Sequence, residues 1–213
     1  MYYPDFLPHH RLPVLLLEEE YDDPKRVIVQ FFDANHLQDA LSQLKSCLKA
    51  AFSKRRLRRR TLLSMMAFRE DMLRLLEAAT LLKDEGKSTI PEDAADPLAT
   101  SWYCASIGRD YTEWDYLPRH LSRKQYFNPY RVFKQCSNMS TLPEWRVVIE
   151  GLIDAAAYRG MEGEDGCICH SNEEPNAYSQ CKRLVELVEA AHLIYVRERL
   201  FDQDKQQQQE EAA

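Results

Sequence analysis

Six positive charges fall within seven residues at Lys54-Arg55-Arg56-Leu57-Arg58-Arg59-Arg60. Like charges this close repel one another, so such a run is either matched by an anionic partner or left in water. A phosphate backbone is one partner, bound through counterion release and therefore strongly salt-dependent. An acidic protein surface is a second. A solvated helix start with acids nearby is the third reading. Acidic counterparts exist in the same chain: Glu162, Glu164, Asp165, Glu173 and Glu174 within 159–175, and the stretch Glu18-Glu19-Glu20-Tyr21-Asp22-Asp23.

Cys167-Ile168-Cys169-His170, with Cys181 further on, brings together residue types that bind zinc. Structural zinc sites use Cys pairs two to four residues apart, whereas C-x-C followed directly by His strains a tetrahedral site. The group reads as thiols without a metal, and no cofactor is expected. His192 stands on a partly apolar helix and reads as a core residue, while His9 and His10 read as exposed. No pair of carboxylates has a spacing that singles it out for acid–base work. The chain has no phosphate-binding glycine loop, no G-x-S-x-G and no H-E-x-x-H. Its six glycines leave little for a backbone phosphate cradle. No catalytic residue is expected.

Aromatic residues cluster at Trp102, Tyr103, Tyr111, Trp114, Tyr116, Tyr126 and Tyr130, close to Arg109, Arg119, Arg123 and Arg131. Rings beside arginines can stack nucleic-acid bases. Large rings also fill seams between packed units, and that is the reading adopted here.

The chain that must position these groups has 213 residues, 45% apolar and 29% charged, an ordinary globular mix. A net charge of −6 excludes a surface that is basic throughout, so any nucleic-acid binding has to be local. No apolar run approaches the roughly 18 residues of a membrane span, and no membrane association is expected. The start, Met1-Tyr2-Tyr3-Pro4-Asp5, lacks the basic and apolar regions of a signal peptide. The six cysteines are scattered, which for such a chain predicts reduced thiols and a cytoplasmic setting.

The strongest regularity is internal. At an offset of 105, residues 12–51 match residues 117–156 at eleven of forty positions, among them Leu12/Leu117, Pro13/Pro118, Tyr21/Tyr126, Pro24/Pro129, Val27/Val132 and Leu37/Leu142. At an offset of 112 the similarity resumes, with Leu76-Glu77-Ala78-Ala79-Thr80-Leu81 against Val188-Glu189-Ala190-Ala191-His192-Leu193. The second copy thus carries seven extra residues before its last helix. A duplicated helical unit accounts for both matches.

The matched residues are those that helices need. Asp23-Pro24 and Asn128-Pro129 each put a capping side chain before a proline, which predicts helices over 24–34 and 129–138. Leu37, Leu41, Leu44, Leu48 and Ala51 recur at three and four, as do Leu142, Trp145, Ile149, Leu152 and Ala156. Thr141 and Glu144 have capping-box spacing. A third helix is predicted over 60–83 with Leu62, Met66, Leu73, Leu76 and Ala79 as its stripe, and its counterpart over 176–201. A short connecting segment is expected near 96–106.

These elements predict an all-α fold of two tandem three-helix repeats, packed as one pseudo-two-fold helical domain. Residues 1–84 form the first repeat, 85–110 a polar linker and connecting segment, 111–201 the second repeat and 202–213 a disordered tail.

The stretch Asp110-Tyr111-Thr112-Glu113-Trp114-Asp115-Tyr116-Leu117-Pro118-Arg119-His120-Leu121 resembles uncharacterised proteins of the Bacteroidetes lineage. That resemblance implies no activity and assigns no residue a role. The helical HEPN ribonucleases place an Arg four to six residues before a His; Arg183 and His192 are nine apart, so their hallmark is absent. The functional expectation is a non-enzymatic interaction or adaptor protein with a protein partner or a second copy of itself. The alternative is a nucleic-acid-binding accessory protein that uses the run at 54–60.

Overall fold

A computed structural model describes residues 15–52, 59–85, 118–158 and 179–196, with side chains placed for 15–49, 64–85, 118–154 and 179–196. Among the described residues all regular structure is helical. Helix α1 spans Glu18–Asp22, α2 Pro24–Ala34, α3 Leu37–Phe52, α4 Arg59–Leu82, α5 Arg123–Phe127, α6 Tyr130–Met139 and α7 Leu142–Tyr158. Helix α8 covers 179–196.

The helix starts at Leu37 and Leu142 fall where the apolar spacing puts them, and Thr141 N–H donates to the Glu144 carboxylate at 2.7 Å, one half of the expected box. The caps before α2 and α6 differ from expectation. Neither Asp23 nor Pro129 makes a side-chain cap bond, and Pro129 is itself the N-cap rather than the first helical residue. The reason lies upstream: α1 and α5 run almost directly into α2 and α6, so backbone carbonyls serve the first amides, with Arg26 N–H on Asp23 O and Val132 N–H on Pro129 O. These two short helices are additional to the three predicted per copy.

Helix α4 packs against α2, α3, α6 and α7, and α3 packs on α7. Of the stripe read in the sequence, Leu73, Leu76 and Ala79 are buried, but Met66 is 47% exposed, and Met65, Phe68, Met72, Leu75 and Leu82 complete the buried face. Both spacings are helical, and only the position of α2 and α7 decides which one faces the core.

Helix α8 is the most enclosed element. Residues 184–196 are buried without interruption, Leu184, Leu187, Val188, Ala190 and Ala191 completely. A helix covered all round lies at the centre of its fold. Its contacts reach α2, where the Phe32 ring meets His192 at 5.0 Å and Tyr195 at 5.4 Å, and the Tyr195 hydroxyl donates to Asp33 at 3.0 Å. In the second half, buried Trp145 of α7 donates its indole N–H to the Cys136 carbonyl of α6 at 3.0 Å. That bond satisfies the ring's one polar atom and fixes α6 on α7.

Candidate functional site

The polar groups that the fold brings together are interior carboxylates. Glu20, Glu77, Glu186 and Glu189 are 1–5% exposed, depths at which a carboxylate must have donors. Each has them.

Glu77 on α4 accepts the Leu15 N–H at 2.7 Å and the Arg146 guanidinium of α7 at 3.2 Å. Glu189 on α8 accepts the Arg119 N–H at 3.0 Å, the His120 N–H at 2.8 Å, and contacts His120 Nδ1 at 2.7 Å. The carboxylate thereby fixes the orientation of a ring that is about one-third exposed.

A second pair of networks surrounds the short helices. Glu20 on α1 accepts the Leu17 N–H at 3.0 Å and pairs with Arg74 of α4, whose guanidinium also donates to Gln30 at 3.1 Å. Gln125 on α5 accepts the Ser122 N–H at 2.7 Å through its carbonyl oxygen and completes a capping box, the Ser122 hydroxyl accepting the Gln125 N–H at 3.4 Å. Its amide nitrogen donates to Gln135 at 2.9 Å and to Glu186 of α8 at 3.2 Å. Arg183 pairs with Glu186 and donates to Gln135 at 2.6 Å.

Chemically, the arrangement holds backbone in place. Two or more donors converge on every carboxylate, which gives it a rigid geometry. The described cysteines Cys47, Cys136 and Cys181 are buried thiols, which burial pushes up to about 11, 12 and 11, so at neutral pH they stay protonated. His192, enclosed by Phe32 and Tyr195, is lowered by burial to about 3 and is neutral in the fold, as a core histidine should be. A space of about 20 Å³ between Leu44, Cys47, Phe68, Met72, Ile149 and Leu184 is room for a water and no more.

Of the residues singled out in the sequence, Lys54, Arg55, Arg56 and Arg58, the side chains of Arg59 and Arg60, the acidic group Glu162–Glu174 and Cys167–His170 lie outside the described residues. So do the aromatic residues from Trp102 to Tyr116, the linker beyond Glu85 and the tail from Asp202. Cys181 sits buried in α8, close enough to Cys47 of α3 to raise its thiol further. Among the described residues no group of His, Cys, Asp and Glu is placed to hold a metal ion, and no helix is long and apolar enough to cross a membrane. Tyr126 and Tyr130 are half-buried, packed edge-on against Phe127 and Phe133.

Sequence reasoning took Glu20, which is buried, as part of an acidic stretch open to a partner, gave His120 and Gln125 no role, and read Glu77 and Glu189 only as members of a matched segment. The available signal was a glutamate followed by Ala-Ala at the matched position of each copy. No family model, curated protein or solved structure matches this chain.

Proposed function

We propose that the chain is a non-enzymatic helical interaction module, two related helical units packed around a pseudo-two-fold axis, which binds a protein partner or a second copy of itself. The observation that carries this reading is the pair of buried glutamates. Glu77 takes the N–H of Leu15 and Glu189 the N–H of His120, and each donor and acceptor is displaced by the same offset that aligns the sequences, 105 and 112. Glu20 and Gln125, also 105 apart, take the N–H three residues before them in the same way. Interior polar groups of this kind tie a frame together and make one packing unique. Recognition then falls to the surface.

In sequence the units differ in sign between their second and third long helices. Residues 54–60 hold Lys54, Arg55, Arg56, Arg58, Arg59 and Arg60, the last two opening α4, and residues 159–175 hold Glu162, Glu164, Asp165, Glu173 and Glu174. The basic connection of one molecule meeting the acidic connection of another gives a contact that weakens with salt. Sedimentation equilibrium across salt tests it: an oligomer at low salt that dissociates as salt is raised supports self-association, and a folded monomer at low salt rejects it.

Six charges in seven residues also favour a second reading, nucleic-acid binding. Its test is fluorescence anisotropy with mixed-sequence DNA and RNA, using wild type and a variant with Arg55, Arg56, Arg58, Arg59 and Arg60 changed to Gln. Tight, salt-steep binding lost in the variant would favour it, and no binding by the folded wild type would remove it.

A further inference from the structure

Helices α1 and α5 occupy the same register and carry opposite charge. On α1, Glu18, Glu19 and Asp22 are exposed, as is Asp23 just after it. Among these acids Leu17 is 66% exposed and Tyr21 37%. On α5, Arg123 and Lys124 are exposed, and Arg119, Arg131 and Lys134 extend the positive surface on either side. The contrast runs through the sequence: residues 116–143 hold five Lys and Arg and no acid, whereas the register-matched residues 11–38 hold six acids and three Lys and Arg. Some of these charges have partners within the molecule, Glu19 with Arg26 and Lys134 with Asp84. The Arg123 guanidinium lies 5.8 Å from the centre of the half-buried Phe127 ring.

We infer that α1 of one molecule docks on the α5–α6 surface of a second copy. The inference rests on the self-association proposed above and adds a second charge-complementary contact to the one between the two connections. Two observations select a second copy. The chain supplies both members of a charge-complementary pair, which steers association and fixes register. At the centre of the acidic member sit Leu17 and Tyr21, apolar groups that water covers poorly and that a protein surface with Phe127 at its edge covers well. A nucleic acid would match the basic surface alone. It would leave the acidic face without a role and would approach a chain whose net charge is −6.

The test uses two charge-reversed variants of the full chain, Glu18→Lys with Asp22→Lys, and Arg123→Glu with Lys124→Glu, compared with wild type by sedimentation at low salt. All four positions are exposed, and thermal midpoints near that of wild type verify folding. Each variant alone is expected to weaken self-association by about tenfold or more. Mixed in equal amounts they associate again, because the lysines introduced in one variant now meet the glutamates introduced in the other. Glu18→Gln with Asp22→Asn, a milder pair that removes charge from α1 without reversing it, is expected to weaken association to an intermediate degree. If wild type associates and both reversed variants associate equally well, α1 and α5 are not the contact, while self-association itself stands. A mixture that stays monomeric also overturns the pairing of α1 with α5. If wild type is a monomer at low salt, this inference and the reading beneath it fall together. Should that monomer bind DNA or RNA and lose the binding on Arg123→Glu with Lys124→Glu, the basic face belongs to nucleic acid instead.

Discussion

Glu77 and Glu189 do one backbone task in different company. Both carboxylates accept the amide of the residue leading into a short helix. Glu77 then draws its cation from Arg146, sixty-nine positions away on α7, and so links the two halves of the chain. Glu189 takes a second backbone N–H and the adjoining His120 ring, all from one short segment of its own half. The networks around α1 and α5 differ in a similar way. The carboxylate sits on the short helix as Glu20 with Arg74 opposite, or on the long helix as Glu186 with Gln125 opposite. The difference teaches that a buried backbone donor fixes where its acceptor must be, whereas the balancing charge can come from any side chain that reaches.

The hardest blow to that comparison is Glu189→Ala. It leaves two backbone N–H groups and a ring nitrogen without their acceptor, an expected loss of about 3–5 kcal/mol in urea unfolding. Glu77→Ala is expected to lose less, about 2–4 kcal/mol, since Arg146 is a third exposed and can turn to water. Equal losses would mean that the number of backbone donors is not what ranks the two sites.

Arg74→Glu comes next. It sets a second carboxylate against buried Glu20, at an expected cost of about 3 kcal/mol. Adding Glu20→Gln reproduces the acid and amide of the second half and recovers most of the loss. Asp71 is the register equivalent of Arg183 by the 112 offset, and Asp71→Arg completes the exchange. A double variant no more stable than Arg74→Glu alone would make the likeness of the two networks coincidental.

His192 stands where the first half has Thr80, whose hydroxyl donates to its own helix at Leu76 O. Its folded value of about 3 lies below the ordinary 6.5, so as pH falls the unfolded chain takes up the proton first. The stability that the neutral ring contributes is complete above 6.5 and drains between 6.5 and 3. The expected slope is about 1.4 kcal/mol per pH unit, clearest above about pH 4.5, before carboxylates titrate. Denaturant curves for His192→Gln should be flatter over that window, and an unchanged pH profile would clear His192 of the acid sensitivity.

The smallest effect separates neighbours. Met65→Ala is expected to cost about 2–4 kcal/mol and Met66→Ala less than about 0.5. A reversed order in thermal unfolding would restore the stripe read from the sequence.

Helical content and the starts at Leu37 and Leu142 were legible because apolar residues recur there over four turns or more. Helices α1 and α5 were not, because five residues hold barely one turn of periodicity, and α1 read as an acidic stretch and Arg123 of α5 as a neighbour of the aromatic cluster. The choice between Met65 and Met66 was also hidden: both fit a helix, and the side that faces the core is set by α2 and α7. The buried glutamates were hidden for the opposite reason. Glutamate on a helix is normally solvated, and nothing local reveals that a distant N–H is waiting for it.

The enclosure of α8 has a consequence for synthesis. The Tyr195–Asp33 hydrogen bond spans 162 positions, and the face of Phe32 that His192 and Tyr195 cover has no cover until those residues leave the ribosome. At about 5–20 residues per second, that interval lasts roughly 8–30 seconds. Throughout it the Phe32 ring of the nascent first half lacks the cover that His192 and Tyr195 give it in the finished fold.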